Sequence, residues 1–191
     1  MDIILASQSP RRRELLSQMG LKGFKVTSPE VDEEIDGNLP PARIVEELSL
    51  RKASAVAEHA DEDDLIIAAD TIVVLDGAVL GKPADEREAL EMLTALQGRR
   101  HTVCTGVTVR QGQRLLTRAQ STDVYFRPAT ERELRAYIAG GEPMDKAGAY
   151  GVQGQGALLV ERIDGDFFNV MGLPVVLLEE MLREFGVVLL G

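Results

Sequence analysis

Ile3-Ile4-Leu5-Ala6-Ser7-Gln8-Ser9-Pro10-Arg11-Arg12-Arg13-Glu14-Leu15-Leu16 begins as an apolar run, breaks at a Ser-Gln-Ser turn and resumes with helical spacing. Pro10 stands where a first helical residue belongs, because its missing N–H has no intrahelical partner to lose there, and Ser9 stands at the N-cap position. The stretch therefore predicts a strand feeding the N-terminus of a helix. Two hydroxyls, several backbone N–H groups and the positive end of the helix dipole meet at that junction beside three arginines, a combination suited to a multiply charged oxyanion such as phosphate. A plain solvated first turn is the other reading. It leaves the arginines unexplained, since each cation at a helix N-terminus opposes the dipole by roughly 0.3–1 kcal/mol.

Near the other end lies Glu142-Pro143-Met144-Asp145-Lys146-Ala147-Gly148-Ala149-Tyr150-Gly151-Val152-Gln153-Gly154, which fits neither a core strand nor an amphipathic helix. It sets an acid, a lysine and an amide among three glycines. Two readings are open: an ordinary surface loop, or a loop whose glycines let backbone N–H groups close on a small polar ligand.

With 191 residues the chain is long enough for one well-buried core and short for two full domains, so one domain over residues 1–191 is predicted, with two lobes allowed. The net charge of −10 disfavours general binding of nucleic acid, which needs a broad basic face. Basic residues gather at Arg11, Arg12, Arg13, Lys52, Lys82 and Lys146, while acid collects in runs such as 61–64. A local positive funnel on an acidic protein suits a metal-complexed triphosphate. The lone Cys104 falls in an apolar stretch and reads as an inert buried thiol, and with two histidines a structural zinc site is disfavoured. No run approaches the ~18–20 apolar residues of a membrane span, and no basic leader precedes an apolar stretch; a cytoplasmic protein with no membrane partner is expected.

Alternation and apolar runs predict strands at 3–6, 24–27, 65–69, 71–75, 102–110, 115–125 and 157–163, with Asp76-Gly77 closing a hairpin. Helical spacing predicts helices at 10–19, 42–59, 86–97, 131–139 and 174–184. Asp85-x-x-Glu88 and Thr130-x-x-Glu133 read as capping boxes, Gly98 as a C′ residue and Pro174 as N1. Asn38-Leu39-Pro40-Pro41 reads as a loop between the acidic 32–36 run and a long helix. Strand–helix units mixed with long hairpins predict an α/β protein on a mixed sheet.

Asp70 follows the run Leu65-Ile66-Ile67-Ala68-Ala69, so it is placed at the end of an interior strand, either as a turn residue or as a presented catalytic side chain. Glu33 lies in Asp32-Glu33-Glu34, which by itself reads as a solvated loop. Lys52, by itself, reads as a solvent-facing helix lysine. Lys82, between Gly81 and Pro83 after the hairpin, is a point charge on a short rigid turn that suits a phosphate oxygen, and Lys146 reads likewise. Neither His59 nor His101 lies in a motif, so a Ser–His–Asp nucleophile has no support. The G-x-x-x-x-G-K-[ST] loop of terminal-phosphate NTPases is missing as well.

Taken together, Ser7-x-Ser9-x-Arg11-Arg12, Val31-Asp32-Glu33, Arg51-Lys52-Ala53, Ala69-Asp70-Thr71, Gly81-Lys82-Pro83, Asp145-Lys146-Ala147-Gly148-Ala149-Tyr150-Gly151-x-Gln153-Gly154 and Val170-x-Gly172-Leu173-Pro174 resemble the Maf family of nucleoside triphosphate pyrophosphatases. The resemblance runs from Ile3 to about Phe185; Ala69 departs from it, glycine being usual there. It implies an elongated, twisted mixed sheet flanked by helices in two lobes, ITPase-like, with a nucleotide cleft between them. It also implies catalytic roles for Asp70, Glu33, Lys52 and Lys82, and substrate binding by Ser7, Ser9, Arg11, Arg12, Thr71, Lys146 and Gln153. Glu33 and Asp70 are the implied ligands of a divalent cation, Mg²⁺, Mn²⁺ or Co²⁺, in keeping with the oxygen ligands that hard ions prefer. Arg11, Thr71 and Gln153 together resemble the branch acting on dTTP and UTP, cleaving the α–β phosphoanhydride. The same fold acting on 7-methyl-GTP, and a nucleotide-binding regulator of cell division with little turnover, are the alternatives. The resemblance further implies a homodimer and a house-cleaning role.

Overall fold

The computed structural model describes residues 1–34 and 39–191. Asp36 and Asn38, at the edges of the expected acidic run and loop, lie outside the described residues. Strands and α-helices of the described residues follow in the order β1 (Ile3–Ala6), α1 (Pro10–Gln18), β2 (Lys25–Thr27), α2 (Pro41–Ala57), β3 (Leu65–Leu75), β4 (Ala78–Leu80), α3 (Glu86–Leu96), β5 (Arg100–Gln111), β6 (Arg114–Phe126), α4 (Glu131–Ala139), β7 (Val160–Asp164), α5 (Phe167–Met171) and α6 (Val175–Glu184). The strands form one mixed seven-stranded sheet in the order β2-β1-β3-β5-β6-β7, with β4 paired to β3. β1 runs parallel to both β2 and β3, whereas β4 on β3 and β7 on β6 are antiparallel. This is the expected α/β architecture. Among the described residues no helix is long and apolar enough to cross a membrane.

Two compact units share the chain. The first comprises Met1–Asp70, Thr105–Gln120 and Gly172–Gly191. Its β1 and β3 carry Ile4, Ala6, Ile66 and Ala68 onto a face covered by Ala53 and Val56 of α2. Small residues bring this helix close. At Gly106 of β5 an added Cβ would lie 2.2 Å from the Val45 carbonyl oxygen, so glycine is required by the approach of α2. Leu65, Ile66 and Ile67 are buried in sequence, as a central strand covered on both faces requires, and each contributes roughly 1.5–3 kcal/mol.

The second unit comprises Thr71–Cys104 and Ser121–Met171. Its core gathers Val73, Leu93, Leu96, Val103, Val124, Phe126, Leu134 and Tyr150. His101, Phe126 and Tyr150 meet edge-to-face, with His101 Nε2 2.8 Å from the Tyr150 hydroxyl. Cys104 is buried as expected.

The caps behave largely as the sequence indicates. Ser9 Oγ accepts from Arg12 N with Pro10 at N1, and Thr130 with Glu133 forms a complete capping box. Asp85 accepts from Glu88 N, but the Glu88 carboxylate takes the N–H of Ala84 instead of Asp85, so only half of that box forms. Four expectations change. The strands expected at 65–69 and 71–75 are one continuous β3, with Asp70 inside it. Pro174 is the N-cap of α6, not its first residue. The short α5 was not foreseen, since its five residues carry too little periodicity to register. Last, β7 starts at Val160 because Gln155–Leu158 winds into a 3-10 turn.

His101 sets an acid limit on stability. It is 2% exposed, its Nδ1 has no hydrogen-bond partner among the described residues, and burial pushes its pKa down to about 4, against the opposing pull of Asp123. Below the unfolded value near 6.5 the unfolded chain binds a proton that the folded chain refuses, so stability falls as pH drops from 6.5 towards 4. The total loss is about 3 kcal/mol. Urea unfolding at pH 7 and pH 4.5 is expected to show most of this decrease. His101→Gln should flatten that part of the profile.

Candidate active site

In the first unit, six of the expected residues come together in two linked groups. The first is the strand–helix junction. Ser7 Oγ accepts from Ser9 N and from a terminal guanidinium nitrogen of Arg12, both at 3.2 Å, while Ser9 Oγ caps α1. Both hydroxyls are engaged as acceptors, which orients their O–H bonds as donors. Arg12 Nε donates to the carbonyl oxygen of Gly172 at 2.7 Å, so this side chain is fixed between the junction and the start of the last chain segment. Burial lowers the Arg12 pKa, opposed by the charges of Asp70 and Glu33 and reinforced by Arg11. A guanidinium stays protonated nonetheless. Arg11 is half-buried, whereas Arg13 is exposed, so the arginine run does not point one way.

The second group is built on Lys52. Its ammonium bonds the Asp70 carboxylate, and Glu33 Oε1 lies 2.9 Å from the same nitrogen. The Lys52 and Asp70 side chains are each 14% exposed, against 65% for Glu33. The expectation of a solvent-facing Lys52 is thus overturned, and the helix geometry explains why. Lys52 lies four residues after Leu48 and four before Val56, both buried, on the same row of α2. Asp70 likewise does not end its strand. A carboxylate inside a buried strand is tolerable when a cation meets it.

The second unit holds the other expected residues. Thr71 continues β3 and is half-buried. Lys82 is exposed, directly before the buried Pro83. The turn that carries Lys82 is tied to the glycine-rich loop, since Gly148 N donates to Gly81 O at 3.0 Å. Lys146 Nζ donates to the Glu142 carbonyl at 2.7 Å and to Asp145 Oδ1 at 2.6 Å. Gln153 is exposed, and among the described residues its amide has no hydrogen-bond partner.

The glycines of this loop serve its own packing. A Cβ at Gly151 would meet Lys146 Cε at 2.7 Å, and one at Gly154 would meet Glu142 Oε2 at 2.2 Å. The Glu142 carboxylate accepts from the Tyr137 hydroxyl (2.9 Å), Gln155 N (2.8 Å) and Gly156 N (3.1 Å). No motif in the sequence assigns a role to Glu142 or Tyr137. Tyr137 sits in α4 at a core position, and only its hydroxyl, reaching a glutamate five residues on, marks it out.

Among the described residues no three acidic, histidine or cysteine side chains cluster as a metal cage. The donor set still fits a divalent ion of the Mg²⁺ kind. Glu33 and Asp70 supply carboxylate oxygens that already meet on one cation, and such ions take one or two protein carboxylates with substrate oxygens and water completing the shell.

A family model described as Maf-like protein matches residues 2–185. The chain belongs to the Maf family. It is similar to a protein of Moorella thermoacetica named dTTP/UTP pyrophosphatase, with 53% identity over 188 residues covering 97% of this chain and 95% of that one. A protein of the same name from Pelotomaculum thermopropionicum is 51% identical, covering 97% of each chain. Among solved structures, the Staphylococcus aureus Ham1 protein superposes with a TM-score of 0.53 at 14% identity, covering 96% of this chain and 99% of that one, a likeness of fold.

The Lys52–Asp70 pair is testable without any substrate. Lys52→Met and Asp70→Asn should each destabilise the chain by roughly 1–3 kcal/mol in urea unfolding, as expected when a partly buried charge loses its partner. The double variant should cost less than the sum of the two, since contacting residues couple by about 0.5–3 kcal/mol. Strict additivity would show that the pair is not coupled.

Proposed function

We propose that this Maf-family chain is a nucleoside triphosphate pyrophosphatase that hydrolyses dTTP and UTP, and modified pyrimidine nucleotides, to the nucleoside monophosphate and pyrophosphate. One observation carries the chemistry: the Lys52 ammonium joined to Asp70 and Glu33, beside a junction of hydroxyls and Arg12. The names of the relatives support the substrate class. Residues 1–191 act as a single catalytic domain in this reading.

Ser7 and Ser9 donate hydroxyl bonds to phosphate oxygens, and Arg11 and Arg12 add charge-assisted donors. Lys52 holds Asp70 in place. Asp70 accepts a proton from the attacking water, whose oxygen bonds to the α-phosphorus while the α–β bridging bond breaks and its electron pair leaves with pyrophosphate. Lys82 and Lys146 offset the charge growing on the leaving group, and little covalent work falls to the protein. Glu33 and Asp70 would hold Mg²⁺, Mn²⁺ or Co²⁺, which would supply further positive charge to the phosphate oxygens. Gln153 pairs with the pyrimidine edge, with Thr71 assisting. A homodimer and a house-cleaning role, which rest on the family resemblance, and the cytoplasmic location expected from the sequence complete the reading.

Incubation with UTP in the presence of Mg²⁺ should release UMP and pyrophosphate in equal amounts. Orthophosphate as the first product would overturn the reading. Asp70→Asn should fold and lose on the order of 10²–10⁴ in turnover. Gln153→Ala should lower kcat/KM for UTP about tenfold or more, the loss of at least one hydrogen bond, while a purine triphosphate is hardly affected.

A further inference from the structure

Gln153 is asked to read a base although, among the described residues, its side chain has no partner to hold it. An amide in that position turns freely and exchanges donor for acceptor, so what the chain itself can fix is where the backbone beneath presents it. The hydrogen bonds around it show where that rigidity originates. On one side, Gly151 N donates to the Tyr137 hydroxyl at 3.0 Å and Val152 is buried. On the other, Gln155 N and Gly156 N donate to Glu142 Oε2 and Oε1, and Gly154 packs directly against the same carboxylate. The Tyr137 hydroxyl in turn donates to Glu142 Oε1, closing a circuit that grips residues 151, 155 and 156 on both flanks of Gln153.

We infer that Glu142, with Tyr137 bonded to it, is a positioning residue for base selection: its carboxylate clasps the backbone just after Gln153 and holds the Tyr137 hydroxyl that takes the backbone just before it, and so fixes where the amide is presented. The inference rests on the reading that Gln153 contacts the base. Chemistry requires a carboxylate here and excludes its isostere. All three groups that meet Glu142 arrive as donors, two on one oxygen and one on the other, and an ionised carboxylate accepts at both oxygens. A glutamine in its place has one NH₂ group. Whichever way that amide is turned, the NH₂ faces a backbone N–H, either that of Gln155 or that of Gly156, and one clasp is lost. Glycine at position 154 serves the same end, because any side chain there would occupy the space of Glu142 Oε2.

The experiment compares kcat and KM for UTP and for GTP in wild type, Glu142→Gln, Gln153→Ala and the double variant, with thermal unfolding of each. Glu142→Gln is expected to lower the UTP-to-GTP ratio of kcat/KM about five- to tenfold, mainly through a higher KM for UTP. In the Gln153→Ala background the same change should have little further effect on the ratio, because the group it positions is gone. Equal loss on both nucleotides, or an unchanged ratio, would make Glu142 merely structural and overturn the inference while Gln153 keeps its role. An unchanged ratio in Gln153→Ala would instead remove Gln153 from base reading, and the inference would fall with it. Should Glu142→Gln not fold, Tyr137→Phe supplies the same comparison: it removes one donor to Glu142 and the acceptor for Gly151 N, and a smaller shift of the ratio in the same direction is expected.

Discussion

A charged carboxylate within a buried strand must meet a counter-charge, and much of the first unit is arranged around that need. Asp70 follows five buried residues of β3, and Lys52 reaches it from α2. For the ammonium to arrive, α2 has to lie close to the sheet, which Ala53 on its inner face and Gly106 beneath Val45 permit. The same nitrogen also pairs with Glu33, whose side chain stays exposed in its acidic segment. A pair of this kind adds little net stability when set against apolar residues of equal volume, so its presence favours a chemical role over a structural one.

The second unit solves a different problem with similar means. Its glycine-rich loop buries Ala149, Tyr150 and Val152, and the polar groups between them still need partners. Order comes from acceptors: the Glu142 carboxylate and carbonyl and the Tyr137 hydroxyl take up N–H and ammonium groups that would otherwise need water. The aromatic cluster of His101, Phe126 and Tyr150 lies within the same core. A neutral imidazole is required there, since burial disfavours its charged form.

Serine hydroxyls at a helix N-terminus are common caps, and Ser9 is one. What distinguishes this junction is Arg12, whose guanidinium is held by Ser7 on one side and the Gly172 carbonyl on the other. A planar fork of donors fixed in this way lowers the ordering cost of the phosphate contact proposed for it. That arrangement joins residues 160 positions apart in the chain.

Local pattern determined much of this protein. The strand–turn–helix of 3–18, the complete cap at Thr130, the Asp76-Gly77 hairpin and the buried run before Asp70 all follow from turn chemistry and periodicity, which act over a few residues. The seven motifs placed the same residues in one family, and the match over 2–185 agrees. Tertiary structure decided the rest. That Lys52 faces inward was visible in its spacing from Leu48 and Val56, but a lysine at such a position is read as polar surface until its counter-charge is known, and Asp70 lies 18 residues away. The continuity of β3 through Asp70 and the clasp of Glu142 on residues beyond Gln153 depend on partners that only folding brings within hydrogen-bond reach, and the 13- and 14-residue spacings of that clasp follow no helical or strand period that a local pattern registers.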